Sequence, residues 1–144
     1  MPVLVLPLEP GVKEAHMGYR SEVAIKCQPK AWIELEKTIR KHGFIPDRVF
    51  RTQYGYTSVY WDCVKWYECF PEVAEINALL DDFDIRHDIG KPDELGYHFI
   101  RIGEDFEDVE SKCNDYDVEQ YIIRSIDLDY CGTEIQNPFE TESD

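Results

Sequence analysis

The sequence predicts an α+β protein built as a two-layer sandwich: a mixed or antiparallel sheet of about four strands with two main helices on it. The leading topology is ferredoxin-like with an inserted helix. Three observations carry this. Apolar residues recur at helical spacing in two separate stretches. Alternating or aromatic stretches of strand length interleave with them. None of those strands is the continuous Val/Ile run of a doubly wound parallel sheet. At 144 residues the chain is of single-domain size.

Taken in order, residues 1–16 stand apart as an N-terminal extension or arm, with Val3–Leu6 as a short apolar run between prolines. The domain proper is expected over 17–130, Met17 opening a better organised segment. Ser21–Cys27 alternates, with Val23, Ile25 and Cys27 on one side and Glu22 and Lys26 on the other, as in a half-buried strand. Pro29 then suits the first turn of a helix. Trp32, Leu35 and Ile39 form its stripe, and Gly43 after Lys41 and His42 stops it, giving a helix over Pro29–His42. Val49-Phe50 suggests a strand that turns near Gly55. Pro71 opens a second helix with the stripe Val73, Ile76, Leu79 and Leu80, and Asp81, Asp82 and Asp84 crowd its end against the helix dipole. Arg86–Leu95 reads as a loop around Gly90 and Pro92. Tyr97–Ile102 reads as a strand stopped by Gly103, Glu104–Asn114 as a short acidic helix and Val118–Leu128 as a last strand. Residues 131–144 are expected to be a loose acidic tail.

Gly55–Phe70 concentrates the aromatic side chains, with Trp61, Trp66, Tyr56, Tyr60 and Tyr67, which favours a packed strand. Five residues apart, Trp61 and Trp66 would face opposite sides of a regular strand. Val59 and Cys63 share the Trp61 side and match Val23, Ile25 and Cys27. Trp61 is therefore assigned to the core against Trp32, Leu35 and Ile39, and Trp66 to the more exposed, partner-facing side.

The formal charge is −15, and it is lopsided. Residues 1–72 carry ten Lys and Arg against nine Asp and Glu, whereas residues 73–144 carry five against twenty-one. Direct binding to nucleic acid or to an anionic membrane is disfavoured, because both need basic side chains. No apolar run approaches the roughly 18 residues of a membrane span. Met1–Pro10 has no basic start and is broken by prolines, unlike a signal peptide. Cys27, Cys63, Cys69, Cys113 and Cys131 are odd in number and irregular in spacing. They are expected as mostly buried thiols in a reducing cytoplasm, with no structural disulfide or metal.

Several segments resemble one family. Met17-Gly18-Tyr19-Arg20-Ser21-Glu22-Val23, Trp61-Asp62-Cys63-Val64-Lys65-Trp66-Tyr67, Phe70-Pro71-Glu72-Val73 and Phe99-Ile100-Arg101-Ile102-Gly103-Glu104-Asp105 are similar to segments of small phage and prophage proteins of uncharacterised function. The resemblance implies a virus-encoded accessory protein acting in a bacterial host cytoplasm, with Met17 as the usual start.

Two groups of side chains invite a functional reading. The acidic run with Glu104, Asp105, Glu107, Asp108 and Glu110, joined by Trp66, would bind a partner protein, the carboxylates standing in for nucleic-acid phosphates. It lacks the Asp and Gly spacing of a calcium loop, and an ordinary solvated acidic face explains it equally. Arg20, Trp61, Lys65, Arg101 and Arg124 could instead line a pocket for a nucleotide-like ligand, although arginines amid so many carboxylates need no ligand to explain them. His87-Asp88 is a thin candidate for a base and its orienter. No catalytic motif, cofactor or metal spacing is present. The sequence thus predicts a protein that is not an enzyme, that binds a host protein through its acidic half, or alternatively sequesters a small ligand, and that could form homo-oligomers.

Overall fold

The structure, a computed structural model, describes residues 18–88, 94–105, 107–115, 118, 126 and 128–140. In chain order it contains β1 (Ser21–Cys27), α1 (Pro29–His42), β2 (Arg48–Arg51), β3 (Thr57–Val64), α2 (Pro71–Arg86), β4 (Tyr97–Ile102), β5 (Val109–Cys113), a 3-10 turn (Leu128–Cys131) and β6 (Thr133–Ile135). Both helices begin on proline, and α1 ends as expected on a left-handed glycine, Gly43 at φ 61°. The arm over 1–16 and most of the expected strand Val118–Leu128 lie outside the described residues.

All strands join one sheet in the order β5-β4-β1-β3-β2-β6, and every neighbouring pair is antiparallel. Among the described residues the count is six rather than about four. The central strands β4-β1-β3-β2 hold the two β-α-β crossovers, and the extra strands lie one at each edge. β5 occupies the place where a short helix was expected. Its residues alternate across the ladder with β4, Arg101 opposite Glu110 and Phe99 opposite Lys112, and the turn between them closes with Gly103 N–H donating to the Asp108 carbonyl at 2.8 Å.

The alternation of β1 divides the interior. Val23, Ile25 and Cys27 face the helices and pack with Leu35 and Ile39 of α1, Val73, Ile76, Leu80 and Phe83 of α2, and Val59, Tyr97 and Phe99 of the sheet. Trp61 belongs to this layer, stacked on Phe44 with ring centroids 4.9 Å apart. Trp66 belongs to it too, which corrects its assignment to an exposed, partner-facing side. It is only 5 % exposed and sits 5.8 Å from Trp61 and 5.7 Å from Phe99. Parity would separate the two indoles only if the strand ran on. β3 ends at Val64, and the irregular backbone after it folds Trp66 back beneath the sheet. The aspartates at the end of α2 act as ties: Asp82 to Arg86 and Asp81 to Lys112, both at 2.7 Å, and Asp84 to the Tyr97 hydroxyl at 3.0 Å.

On the other face, Ala24, Phe50, Tyr60 and Ile100 are covered by Ile126, Leu128 and Cys131. The expected loose tail over 131–144 is therefore incorrect for the residues described. Cys131 is buried, β6 pairs with β2, and Phe139 is 4 % exposed and meets Trp32 edge-on at 5.9 Å. The thiols are not mostly buried: Cys27 and Cys131 are, whereas Cys63, Cys69 and Cys113 are exposed. Burial pushes the Cys27 thiol well above its ordinary range.

Candidate functional site

The end of the sheet where β1 begins and β4 finishes gathers the acidic run around one cation. Arg101 follows Phe99 on the helix side of β4 and reaches across the ladder. Its guanidinium meets Asp108 at 2.7 and 3.2 Å, Glu110 at 3.1 Å and the Ser21 hydroxyl at 3.1 Å. Burial opposes this charge, but the hydrogen bonds that Arg101 donates to Asp108 and Glu110 outweigh it and raise the pKa above its ordinary value. Asp108 also accepts the Tyr19 hydroxyl, while the Tyr19 carbonyl accepts the Tyr67 hydroxyl at 3.0 Å. Glu104 accepts the backbone N–H of Arg20 at 2.6 Å. The turn is thus clamped at its base from β1, β4 and the segment before α2.

Gly103 is what lets the clamp close. A Cβ there would stand 2.2 Å from Asp108 Oδ2 and 2.3 Å from the Tyr19 hydroxyl. Gly103→Ala must therefore push apart two groups held by hydrogen bonds, and it is expected to cost roughly 1–3 kcal/mol. A urea melt measures this, and an unchanged midpoint would show that the clamp is dispensable.

The acidic residues consequently divide into two sets. Asp108 and Glu110 are consumed by Arg101, with Asp108 half-buried. Glu104, Asp105 and Glu107 are exposed at the tip of the turn. Trp66 does not join them, since it is buried in the helical layer.

Two members of the group proposed for a ring-bearing anion, Trp61 and Arg101, are engaged elsewhere. The Trp61 indole is 2 % exposed, behind Phe44 and Trp66, and offers no face to a ligand from solvent. Arg101 is held by carboxylates, Arg20 is exposed, Lys65 is half-buried, and Arg124 lies outside the described residues.

Other polar contacts were hidden from sequence reasoning. His87 pairs with Asp115 rather than with the neighbouring Asp88, at 2.9 Å, with both side chains almost fully buried. Its other nitrogen accepts the Leu95 N–H at 3.2 Å, so both ring positions are used in joining the end of α2 to the end of β5. On the second face, Tyr60 donates to Glu22, and Glu22 accepts the Ile126 N–H at 3.2 Å. Burial, reinforced by the Lys26 charge, lowers the His98 pKa to about 4, and its Nε2 lies 2.8 Å from the Ser111 hydroxyl. Among the described residues, no cluster of His, Cys, Asp and Glu could hold a metal ion. No helix there is long and apolar enough to cross a membrane.

Fold and site together define an α+β protein with a six-stranded antiparallel sheet among the described residues and a clamped acidic turn at one end. Comparison with protein-family models, with curated proteins and with solved structures finds no match for this chain.

Proposed function

We propose that the chain is a phage-type accessory protein that binds a host protein in the bacterial cytoplasm, with the β4–β5 turn as the contact. The observation that carries this reading is the division of the acidic run. Asp108 is spent on holding the turn and Glu104 also takes the Arg20 N–H, while Glu104, Asp105 and Glu107 remain exposed to solvent at the tip. A preordered turn loses little conformational freedom on binding, so more of its electrostatic attraction survives as affinity. The partner class that fits is a nucleic-acid-binding protein, whose basic face would take these carboxylates in place of phosphates. The finer fold reading, a ferredoxin-like core, is supported by the central strand order β4-β1-β3-β2.

The test is capture from a bacterial lysate at low and high salt, using the native chain, the combined variant Glu104→Gln/Asp105→Asn/Glu107→Gln, and Glu36→Gln as an acidic control on α1. The reading requires a partner that leaves at high salt, is lost with the triple variant and is kept by the control. A partner that the triple variant retains, or whose capture ignores salt, overturns it.

A further inference from the structure

We propose that Ile126 and the turn Leu128–Cys131 form an acid-released cover: protonation of His98, buried opposite Lys26 in the layer beneath, lifts this segment off the sheet while the helical layer stays folded. The proposal is independent of the acidic-turn reading.

The strand register creates the pair. On β1, Lys26 lies directly opposite His98 of β4 on one side and Ser58 of β3 on the other. Directly opposite residues share a face, and Lys26 follows Ala24 on the face turned away from the helices. Two basic side chains therefore stand next to each other there, with Lys26 7 % and His98 4 % exposed. Burial disfavours charge on both, and it lowers the Lys26 pKa.

The cover is tied to this face near both of its ends. Ile126 N–H donates to Glu22 at 3.2 Å, and the Cys131 carbonyl accepts the Ser58 hydroxyl at 3.4 Å. Ile126, Leu128 and Cys131 pack on Ala24, Phe50, Tyr60 and Ile100. Ile100 is the next residue of β4 on this face after His98. The cover thus lies over the neighbours of His98 both across the ladder and along its own strand. The two faces of the sheet carry separate apolar clusters, which lets one open without the other.

Among the described residues, the groups around the imidazole are unevenly charged. From β1 it faces Lys26. From β5 it faces the Ser111 hydroxyl, 2.8 Å from Nε2, and Cys113, whose thiol donates to the Asp115 carbonyl at 3.2 Å. From the cover, Cys131 lies within electrostatic range of Lys26. The carboxylates of this face are placed elsewhere. Glu22 and Asp62 gather at the Tyr60 hydroxyl toward the start of β1, and Glu134 is held by Arg48 at 2.8 Å. Burial first, and the Lys26 charge after it, lower the His98 pKa to about 4.

The direction of the pH effect follows from proton balance. Covered His98 is neutral at pH 7, and a proton would add a second positive charge beside Lys26. Once the cover lifts, water solvates both groups and His98 returns toward its ordinary 6.5. The open form then binds more protons than the covered one. Falling pH favours opening from about 6.5 down to about 4, below which the covered form protonates too.

Amide hydrogen exchange of the full-length native chain, followed by NMR and corrected for the intrinsic rate at each pH, reads the opening constant. The lower pH is set at about 5, above the ordinary carboxylate range. From pH 7.5 to that value the Ile126 opening constant should rise roughly thirtyfold. At both pH values it should exceed that of the Leu35 N–H in α1. In His98→Gln the rise should vanish. Equal constants for Ile126 and Leu35 would mean that the molecule opens as one unit, which overturns the proposal. So would a rise below about threefold, or one that persists in His98→Gln. The His98 ring signals of the native chain give a check that needs no variant. Their titration midpoint must lie well below 6.5, and a midpoint at or above that value sinks the idea.

Discussion

Trp66→Ala should lower the unfolding free energy by roughly 3–5 kcal/mol, as much as Trp61→Ala. Sequence parity leads to the opposite expectation, with Trp66 cheap to remove. In the fold both indoles are nearly fully buried and in mutual contact, Trp66 bridging Trp61 and Phe44 to Phe99 of β4. Removing either ring opens a cavity against the other, so the double variant should lose measurably less than the two single losses combined. Urea melts followed by far-UV circular dichroism measure all three. A loss below about 1.5 kcal/mol for Trp66→Ala would mean that the ring is not part of the core.

The second large effect belongs to Arg101. Its side chain is 14 % exposed and that of Asp108 is 24 %, so Arg101→Met removes the cation from a partly buried carboxylate that also accepts the Tyr19 hydroxyl. Breaking a buried pair by removing one partner costs about 3–5 kcal/mol, and the lower end applies here because Asp108 retains some access to water. The loss should be recovered in good part by adding Asp108→Asn, since a neutral amide needs no cation beside it. Denaturant midpoints of the two single variants and the double variant decide this. If the second change deepens the loss, Arg101 acts through packing of its stem rather than through its charge.

Much of the frame was legible because its signals are local. Pro29 and Gly43 bracket α1, Pro71 opens α2, the alternation of Val23, Ile25 and Cys27 marks a central strand, and Gly103 stops β4. β5 was not legible. Its sequence Val-Glu-Ser-Lys-Cys has no apolar face, because an edge strand with exposed side chains needs none, and its pairing is set by Arg101 and Lys112 reaching other elements. Phe139 is a lone aromatic in a polar segment. Its burial depends on Trp32 and on Arg40, which lies 4.8 Å above its ring, both remote in sequence. The acidic run was visible, but its division into clamped and displayed residues was not. That division turns on Tyr19, 89 residues from Asp108, and on a guanidinium whose partners no local pattern announces.

The placement of the tryptophans gives the protein a one-sided optical probe. Trp32, Trp61 and Trp66 are the only three in the chain, and all lie in the helical layer. The layer beneath Ile126, Leu128 and Cys131 contains none. Tryptophan emission therefore follows the helical layer, and Trp32 also senses Phe139 of the C-terminal segment packed against it. Once the exposed Cys63, Cys69 and Cys113 are blocked, a thiol reagent reaching buried Cys131 reports the opposite surface, so the two signals together separate uncovering of that surface from melting of the helical layer.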